Sequence, residues 1–329
     1  MINNARYTLT GTRLAKLCGV SQGTVDRALH GRSDINEQTR QKILSIAEQY
    51  GFLTSEGPFA TGIKGIIGVI VLDVSNEYFS NLIMYIEKHC RALGYAISVM
   101  FSMKDPQREI ENIESLYRMG VDGIILCPVA GGKNEEDHEI YRRYLLSLKI
   151  PVVTVGNEIE GVNYVGIDDY EAMCRVTEAV IARGYKRLIF PNPLNKDDEY
   201  KAVYAEAQRK RRKAFIETAE RNGFSKEDIV LCTLGEAETL VPKSNARTAF
   251  ICPCDIYALR LINNAKKKDA GIIGFDDISI IDAVGIELDS VSYDVSLTAG
   301  EAVNIILKGK SDIPQKIIID YKIISRGSL

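Results

Sequence analysis

The sequence predicts a small all-α head followed by an α/β body that contains two doubly wound parallel sheets. Three short helical patterns lie within residues 1–50, and residues 51–64 show no periodicity. From residue 65 onwards, short apolar runs alternate with helical stripes, as in parallel sheets covered by helices on both faces. At 329 residues the chain is too long for one compact core, and it suits a small module plus a body of roughly 250 residues.

Each helical pattern of the head has an apolar face. The residues on these faces are Leu14, Leu17 and Cys18 in the first pattern, Val25, Ala28 and Leu29 in the second, and Ile43, Leu44, Ile46 and Ala47 in the third. The segment 51–64 that follows contains three glycines and a proline, so we expect a linker there.

The body, residues 65–329, begins with a continuous apolar run, Ile66–Leu72, which predicts a buried strand. A helical stripe from Phe79 to Leu93 follows and ends at Gly94. Further strands are expected near residues 96–101, 122–127, 152–155, 187–190, 229–232, 248–252 and 271–275, and helices near 106–119, 136–148, 170–183, 200–222, 255–268 and 296–308. About ten strands favour two sheets over one, and such sheets bind ligands at the carboxyl ends of their strands.

Composition and charge argue against several classes of protein. The longest apolar run, Gly65–Leu72, is far shorter than the ~20 residues of a membrane span, and the first residues lack the apolar core of a secretory signal, so we expect a cytoplasmic protein. The seven cysteines are dispersed, which indicates reduced thiols rather than a disulfide framework. Residues 1–50 hold seven Lys and Arg against four Asp and Glu, so a head of charge +3 precedes a body of charge −6. This distribution favours a head that binds nucleic acid.

The segment Leu14–Leu29 has the features of a helix-turn-helix. Gly19 stands where the turn favours a left-handed residue, Val20 fills the space between the helices, and Ser21 is a good N-cap for the second helix. The residues that would then project from the exposed side of the second helix, where the edges of bases are read in the major groove, are Gln22, Gly23 and Arg27. An ordinary αα-hairpin with a polar surface is the alternative.

The motif Gly-Val-Ser-x-x-Thr-Val-x-Arg at 19–27, followed by Asn-Glu-x-Thr-Arg at 36–40, resembles the headpiece of the LacI/GalR (lactose/galactose repressor) family of bacterial transcription regulators. The resemblance implies that Gln22, Gly23 and Arg27 select the operator sequence. It also implies that Ser21 and Thr24 contact phosphates, which fix the register without carrying sequence information.

The resemblance continues through the body to about residue 328. It is carried by Asp122–Pro128, Arg209–Phe215 and Gly274–Asp277, among other segments. The family resemblance implies two lobes of the periplasmic-binding-protein type with a small sugar-like effector between them. The implied lobes are 65–161 with 291–312, and 162–290 with 313–329.

The resemblance also implies which residues bind the effector. Arg211 falls on an arginine that binds effector hydroxyls in the family, and Asp276 on an effector-binding aspartate. The other candidates are Asp73, Phe79, Asn157, Asp255 and Tyr293. Such a set suits a sugar, which needs donors and acceptors for its hydroxyls and an aromatic face for its C–H surface. Arg211 could instead belong to a solvated helix face, Asp276 to a helix cap and Phe79 to the core.

No motif of the sequence indicates catalysis. No Gly-x-Gly-x-x-Gly follows the first strand, no Walker loop occurs, and no nucleophile and base are suitably spaced. Cys252 and Cys254 could form a metal or redox pair, but only two thiols occur together and no histidine is near, so structural cysteines are expected. We therefore expect neither an enzyme nor a cofactor or metal site.

The sequence thus favours a homodimeric repressor whose paired heads bind a pseudo-palindromic operator, with the effector altering the spacing of the heads. A sugar-binding protein without a regulatory role and an enzyme of doubly wound fold are the alternatives. The linker departs from the family, whose members carry a hinge helix with a leucine that enters the minor groove. Here Gly57 and Pro58 favour a flexible tether, or Phe59 replaces that leucine as the wedge on bound DNA.

Overall fold

The computed structural model describes residues 11–29, 35–49, 63–129, 135–191, 206–245 and 247–329. They form two compact units, the N-terminal head and the α/β body. Phe59 and most of the linker lie outside the described residues, so the tether and the wedge both stay predictions. Within the described residues, no helix is long and apolar enough to span a membrane.

The head consists of three helices, α1 (Gly11–Cys18), α2 (Gln22–Leu29) and α3 (Glu37–Gln49). Their buried residues are Leu14, Ala15, Cys18, Val25, Ala28, Ile43 and Ala47. Gly19 adopts a φ of +70°, which confirms the left-handed turn predicted between the first two helices. Val20 packs against the same cluster, as predicted, whereas Leu17 is exposed because Leu14 and Cys18, four residues apart, define the buried face of α1.

The first sheet of the body has the strand order β11-β5-β4-β3-β1-β2. Its strands are β1 (Gly65–Val71), β2 (Tyr95–Phe101), β3 (Gly123–Leu126), β4 (Val152–Val155), β5 (Asn163–Gly166) and β11 (Lys316–Ile318). The helices that alternate with these strands are α4 (Glu77–Ala92), α5 (Pro106–Met119), α6 (Glu135–Ser147) and α12 (Val295–Leu307). The register shows parallel pairing from β1 through β3, β4 and β5 to β11.

The second sheet has the order β12-β10-β9-β8-β6-β7. Its strands are β6 (Arg187–Pro191), β7 (Ile229–Cys232), β8 (Thr248–Ile251), β9 (Gly271–Phe275), β10 (Asp289–Tyr293) and β12 (Tyr321–Ile324). Its helices are α7 (Asp169–Ala182), α8 (Glu206–Arg221), α9 (Leu234–Leu240), α10 (Asp255–Lys266) and α11 (Ile280–Ala283). Only β12 is shown pairing antiparallel among these described strands, so the predicted fold of two doubly wound, mainly parallel lobes is confirmed.

The boundaries between the lobes differ from those that the family resemblance implied. Strand β5 was expected in the second lobe, but it pairs with β4 in the first sheet, where Thr154 lies opposite Tyr164. Strand β11 pairs with β5, and β10 belongs to the second sheet. The first lobe therefore comprises residues 65–166 and 295–318, and the second comprises 167–293 and 321–329. The chain crosses between the lobes where these strands end, which is the side on which ligands bind.

Left-handed glycines terminate several helices of the body, including the one predicted to end at Gly94. Gly184 and Gly223 have φ values of +89° and +83°, and Gly94 has +83°. The cysteines are free thiols, five of them buried, which agrees with the prediction of reduced thiols.

Gly274 of β9 lies where only a glycine fits against the start of α10. A Cβ atom at this position would overlap the Asp255 carboxylate and lie 3.1 Å from the Asp255 Cα atom. Gly274→Ala should therefore lower the free energy of unfolding by about 1–3 kcal/mol, as overpacked cores do. Urea denaturation of the full chain measures this loss.

The matched control is Gly235→Ala in α9, where no atom lies within 4 Å of the added Cβ. We expect that change to stay within about 0.5 kcal/mol. Equal stability of the two variants would contradict the close packing of Gly274.

Candidate functional site

A cavity of about 250 Å³ lies between the two lobes. On the first lobe it is lined by residues that follow β1 and β4, including Asp73 and Asn157. On the second lobe it is lined by Asp276, which follows β9, and by Tyr293, which ends β10. The cavity thus occupies the carboxyl ends of the parallel strands, the position that the strand pattern predicted for a ligand.

The structure brings together six of the seven residues predicted for the effector site. The cavity is lined by Asp73, Phe79, Asn157, Arg211, Asp276 and Tyr293. Asp255 does not line it, because the first turn of α10 directs this side chain into the protein. There its carboxylate accepts hydrogen bonds from Ser290 Oγ at 2.6 Å and from the Ile278 amide at 3.0 Å. Asp255 is fully buried and supports the turn that carries Asp276.

Arg211 is only 6% exposed, which excludes the alternative of a solvated helix face. It lies on the buried side of α8 with Ala214, Phe215 and Thr218, at the spacing that one helix face requires. Its Nη1 donates to the Pro253 carbonyl at 2.6 Å, and its guanidinium lies 3.4 Å from the centre of the Phe275 ring. Arg211 is thus a buried arginine of α8, at the position where the family resemblance places an effector-binding residue.

The counter-ion of Arg211 is Asp169, the first residue of α7. Nε and Nη2 of the arginine lie 2.8 Å and 2.7 Å from the same carboxylate oxygen, and both side chains are buried. Burial raises the pKa of Asp169, whereas the guanidinium lowers it. Burial alone would lower the pKa of Arg211, but Asp169 raises it, so the arginine stays charged.

Asp276 occupies an unusual backbone conformation with a φ of +104°. Its amide donates to the Val291 carbonyl at 3.0 Å, which holds the turn. Its carboxylate accepts hydrogen bonds from Tyr293 Oη at 3.2 Å and Asn76 Nδ2 at 3.4 Å. Burial raises the pKa of Asp276 to about 6, even though Arg211 lowers it. Asp276 does not act as a helix cap, since α11 begins after Ser279.

Aromatic side chains form part of the cavity wall. Phe79 is half-buried and meets Tyr78 edge-on, with ring centres 5.2 Å apart. Tyr78 in turn lies 5.8 Å from the ring of Tyr293 across the two lobes. Phe79 therefore faces the cavity rather than only the core, and the wall offers a surface for the C–H face of a ligand.

The sequence alone did not reveal several cavity residues. They are Asn76, Tyr78, Asp169 and Cys254. Asn76 and Asp169 look like ordinary residues at helix starts. Cys254 directly precedes Asp255, which was predicted for the effector site. Burial raises the pKa of the Cys254 thiol to about 12, which makes a reactive thiolate unfavourable. Among the described residues, no group of three or more metal-binding side chains occurs.

Hydrogen bonds join the two lobes around the cavity. The Glu77 carboxylate of the first lobe accepts from the amides of Ser279 at 3.0 Å and Ile280 at 3.3 Å in the second. Asn157 donates to the Pro128 carbonyl at 3.1 Å and accepts from the Ala207 amide of α8 at 3.0 Å. Asn157 thus connects the lobes as well as lining the cavity. A ligand that changes these contacts would change the arrangement of the lobes.

In the head, the first turn of α2 has the predicted geometry. Ser21 caps the helix, since its Oγ accepts from the Thr24 amide at 3.1 Å. The Thr24 hydroxyl lies 2.8 Å from Ser21 Oγ and accepts from Arg27 Nη2 at 3.4 Å. Gln22 and Gly23 are exposed and Arg27 is half-buried. The first turn of α2, which the helix-turn-helix prediction places at a major groove, therefore leaves Gln22 and Gly23 accessible.

Two family descriptions match this chain. Residues 64–236 match the periplasmic binding proteins and sugar binding domain of the LacI family. Residues 14–55 match the lacI family of bacterial regulatory proteins. The chain belongs to the LacI family. It is a DNA-binding transcriptional regulator with a sugar-binding-type domain, and the family consists of regulators rather than enzymes.

Relatives of the same length support this membership of the LacI family. Catabolite control protein A of Staphylococcus aureus is 24% identical over 344 residues, covering 98% of this chain and 99% of that protein. The HTH-type transcriptional regulator KdgR of Bacillus subtilis is 25% identical over 337 residues, covering 96% of each chain.

Solved structures show the same fold. A LacI family transcriptional regulator from Silicibacter pomeroyi superposes with a TM-score of 0.73 at 21% identity, covering 96% of this chain and 98% of that one. The lac repressor dimer bound to operator and the anti-inducer ONPF gives 0.70 at 15% identity, covering 97% and 98%. At these identities the likeness to solved structures is one of fold.

The ion pair between Arg211 and Asp169 leads to a test of the site's framework. Asp169→Asn leaves a buried guanidinium without its counter-ion, so we expect the free energy of unfolding to fall by about 3–5 kcal/mol. Chemical denaturation with a circular dichroism readout measures the loss.

The matched control is Glu178→Gln on the same helix, whose partner Arg221 lies 3.5 Å away on the surface. An exposed pair contributes at most about 1 kcal/mol. A loss for Asp169→Asn as small as that of the control would show that the buried pair does not hold the site together.

Proposed function

We propose that this protein is a cytoplasmic repressor that binds a pseudo-palindromic operator as a homodimer and responds to a sugar-like effector in the cavity between its lobes. The observation that carries this proposal is the convergence of Arg211, Asp276 and an aromatic wall at the carboxyl ends of the strands of both lobes. A site built from both lobes couples ligand binding to their arrangement, and hence to the spacing of paired heads.

The head supplies the DNA-binding half of the proposal. Gln22, Gly23 and Arg27 read base edges in the major groove, while Ser21 and Thr24 contact phosphates. The charge of +3 on residues 1–50 favours a polyanionic partner. The operator-bound lac repressor, which has the same fold, is a dimer, and paired heads match the symmetry of a palindromic operator.

The cavity supplies the sensing half. Nη1 and Nη2 of Arg211 each carry a second hydrogen that can be donated to a ligand hydroxyl, and Asp276 can accept from hydroxyls. Several proteins of this fold are described as complexes with sugars, namely D-xylulofuranose in Alkaliphilus metalliredigens, cellobiose in CelR and sucrose in Weissella paramesenteroides. A sugar-binding protein without a regulatory role and an enzyme have no specific observation in their favour.

Control of the operator follows from the bonds between the lobes. Glu77 and Asn157 join the lobes through backbone amides of the partner lobe. A ligand that contacts both Asn157 and Asp276 favours one arrangement of the lobes over the others. It can shift operator affinity only by as much as its affinity differs between those arrangements.

The first test concerns DNA reading by Arg27. After the operator has been selected from random DNA with the full chain, Arg27→Ala should weaken operator binding by about 1–3 kcal/mol, with little change on unrelated DNA. Arg27→Lys keeps the charge but loses the bidentate geometry, so it should show the same loss of discrimination. Titrations at fixed salt measure both affinities.

An equal loss on the operator and on unrelated DNA would make Arg27 a phosphate contact. If the full chain binds no DNA sequence specifically, with or without any sugar, the proposed regulator is wrong.

The second test concerns the cavity. A thermal-shift screen of sugars and their derivatives should identify a ligand, since ligand at 100 times its Kd stabilises a protein by about 2.7 kcal/mol. Asp276→Asn and Arg211→Lys should each weaken that ligand by about 2–4 kcal/mol while operator binding without ligand is retained.

Asp277→Asn is the matched control, because the Asp277 carboxylate pairs with Arg326 at 2.8 Å and does not line the cavity. If Asp276→Asn and Arg211→Lys both bind the ligand with wild-type affinity, the effector does not bind in this cavity.

A further inference from the structure

Among the described residues that line the cavity, acidic side chains outnumber basic ones. The acidic residues lining it are Asp73, Asp169 and Asp276, and the basic ones are Lys104 and Arg211. Asp255 lies directly behind this wall and is fully buried. Burial and then the charge of Asp276 raise the pKa of Asp255 to about 7. Among the described residues of the wall, carboxylates therefore outnumber cations.

The two cations are already engaged. Arg211 holds Asp169 with two contacts of 2.7 and 2.8 Å and the Pro253 carbonyl with a third. Lys104 is half-exposed, and its ammonium lies 3.9 Å from the Asp73 carboxylate. Among the described residues, Asp169 thus pairs with Arg211 and Asp73 with Lys104, and no ion pair is shown for Asp276.

The partners of Asp276 are neutral and distant. Tyr293 Oη and Asn76 Nδ2 lie 3.2 and 3.4 Å from its oxygens, whereas a charge-assisted bond from an ammonium is about 2.7–2.9 Å long. Its φ of +104° holds the carboxylate in place at a cost in backbone energy. Such strained residues concentrate at ligand clamps. Asp276 thus offers acceptor capacity to the ligand. Its carboxylate feels the charge of Arg211, but no ion pair to it is shown among the described residues.

We propose that the effector carries a basic amino group that pairs with Asp276, as in an amino sugar, and bears no acidic group. This inference rests on the proposed effector site and names its ligand class. The ammonium offsets the excess negative charge, and the remaining hydroxyls bind Arg211 and Asn157. The ring carbons pack on Phe79 and Tyr78, whose faces also favour a nearby cation. A carboxylate or phosphate group on the ligand is repelled by Asp276 and Asp73.

The test uses the full chain and matched ligands that differ in one group. For both the glucose and the galactose ring, the probes are the 2-amino sugar, the parent sugar, the N-acetylated amine, the uronic acid and the 6-phosphate. Isothermal titration calorimetry gives the Kd of each. We expect at least one amino sugar to bind ten-fold or more tightly than its parent and its N-acetyl form, and the acids not to bind.

Asp276→Asn removes the charge and keeps the shape of the side chain. We expect it to reduce the affinity of the amino sugar to that of the parent sugar, whereas Asp277→Asn retains the ten-fold preference. Melting temperatures of the unliganded variants, within a few degrees of the wild type, establish that both are folded. Retention of the amine preference by Asp276→Asn would overturn the assignment.

Other outcomes separate this inference from the proposed function. If a neutral or acidic sugar binds as tightly as its amino counterpart, or if no amino sugar binds, the inference is wrong. Operator affinity is then measured on the same preparation, with and without whichever probe binds. This measurement tests the proposed regulator independently of the ligand class. If an amino sugar binds but leaves operator affinity unchanged, the inferred ligand class is right and the proposed control of the operator by this ligand is wrong.

Discussion

The buried ion pair between Arg211 and Asp169 sets the geometry on which the cavity depends. Asp169 begins α7, just after the chain has left the first sheet, and Arg211 lies on α8 of the second lobe. The same guanidinium binds the Pro253 carbonyl after β8 and stacks on Phe275 of β9. The Arg211 side chain therefore connects four segments at the carboxyl ends of the strands. Such pairs add little net stability compared with an apolar core, but they fix one arrangement because removing either partner is costly.

The pair also determines what the neighbouring residues can do. Because the Arg211 guanidinium pairs with Asp169, the hydrogen bonds shown to Asp276 from described residues come from the neutral Tyr293 and Asn76, and this carboxylate remains available to a ligand. The turn that carries Asp276 depends in turn on Asp255, whose carboxylate binds Ser290 and the Ile278 amide. Gly274 permits this approach, since a side chain there would meet Asp255. The three aspartates thus have different roles. Asp169 holds Arg211, Asp255 supports a turn, and Asp276 faces the cavity.

The fold was largely predictable from the sequence because each long element carries its own periodic signal. The strand run at Ile66–Leu72 and the helix end at Gly94 are examples. Strands β5, β10, β11 and β12 were missed because polar residues interrupt their apolar runs, namely Asn163, Asp289, Lys316 and Lys322. The short strands β4 and β7 were predicted because they are mostly apolar. Of the residues predicted for the effector site, Arg211 and Asp276 line the cavity, whereas Asp255 does not and its neighbour Cys254 does. The two are adjacent, and only the direction in which α10 begins decides which one faces the cavity.

The position of the cavity explains how a small ligand can affect the arrangement of the two lobes of the body. Strand β5 ends at Gly166 and β10 ends at Tyr293, so the chain leaves each lobe at the cavity. The bonds from Glu77 to the Ser279 and Ile280 amides cross the same gap. A hydrogen bond to a charged group contributes about 1.5–3 kcal/mol, similar to the coupling free energies typical of allosteric proteins. A ligand that strengthens or breaks a few such bonds therefore has enough free energy to change which arrangement of the lobes prevails.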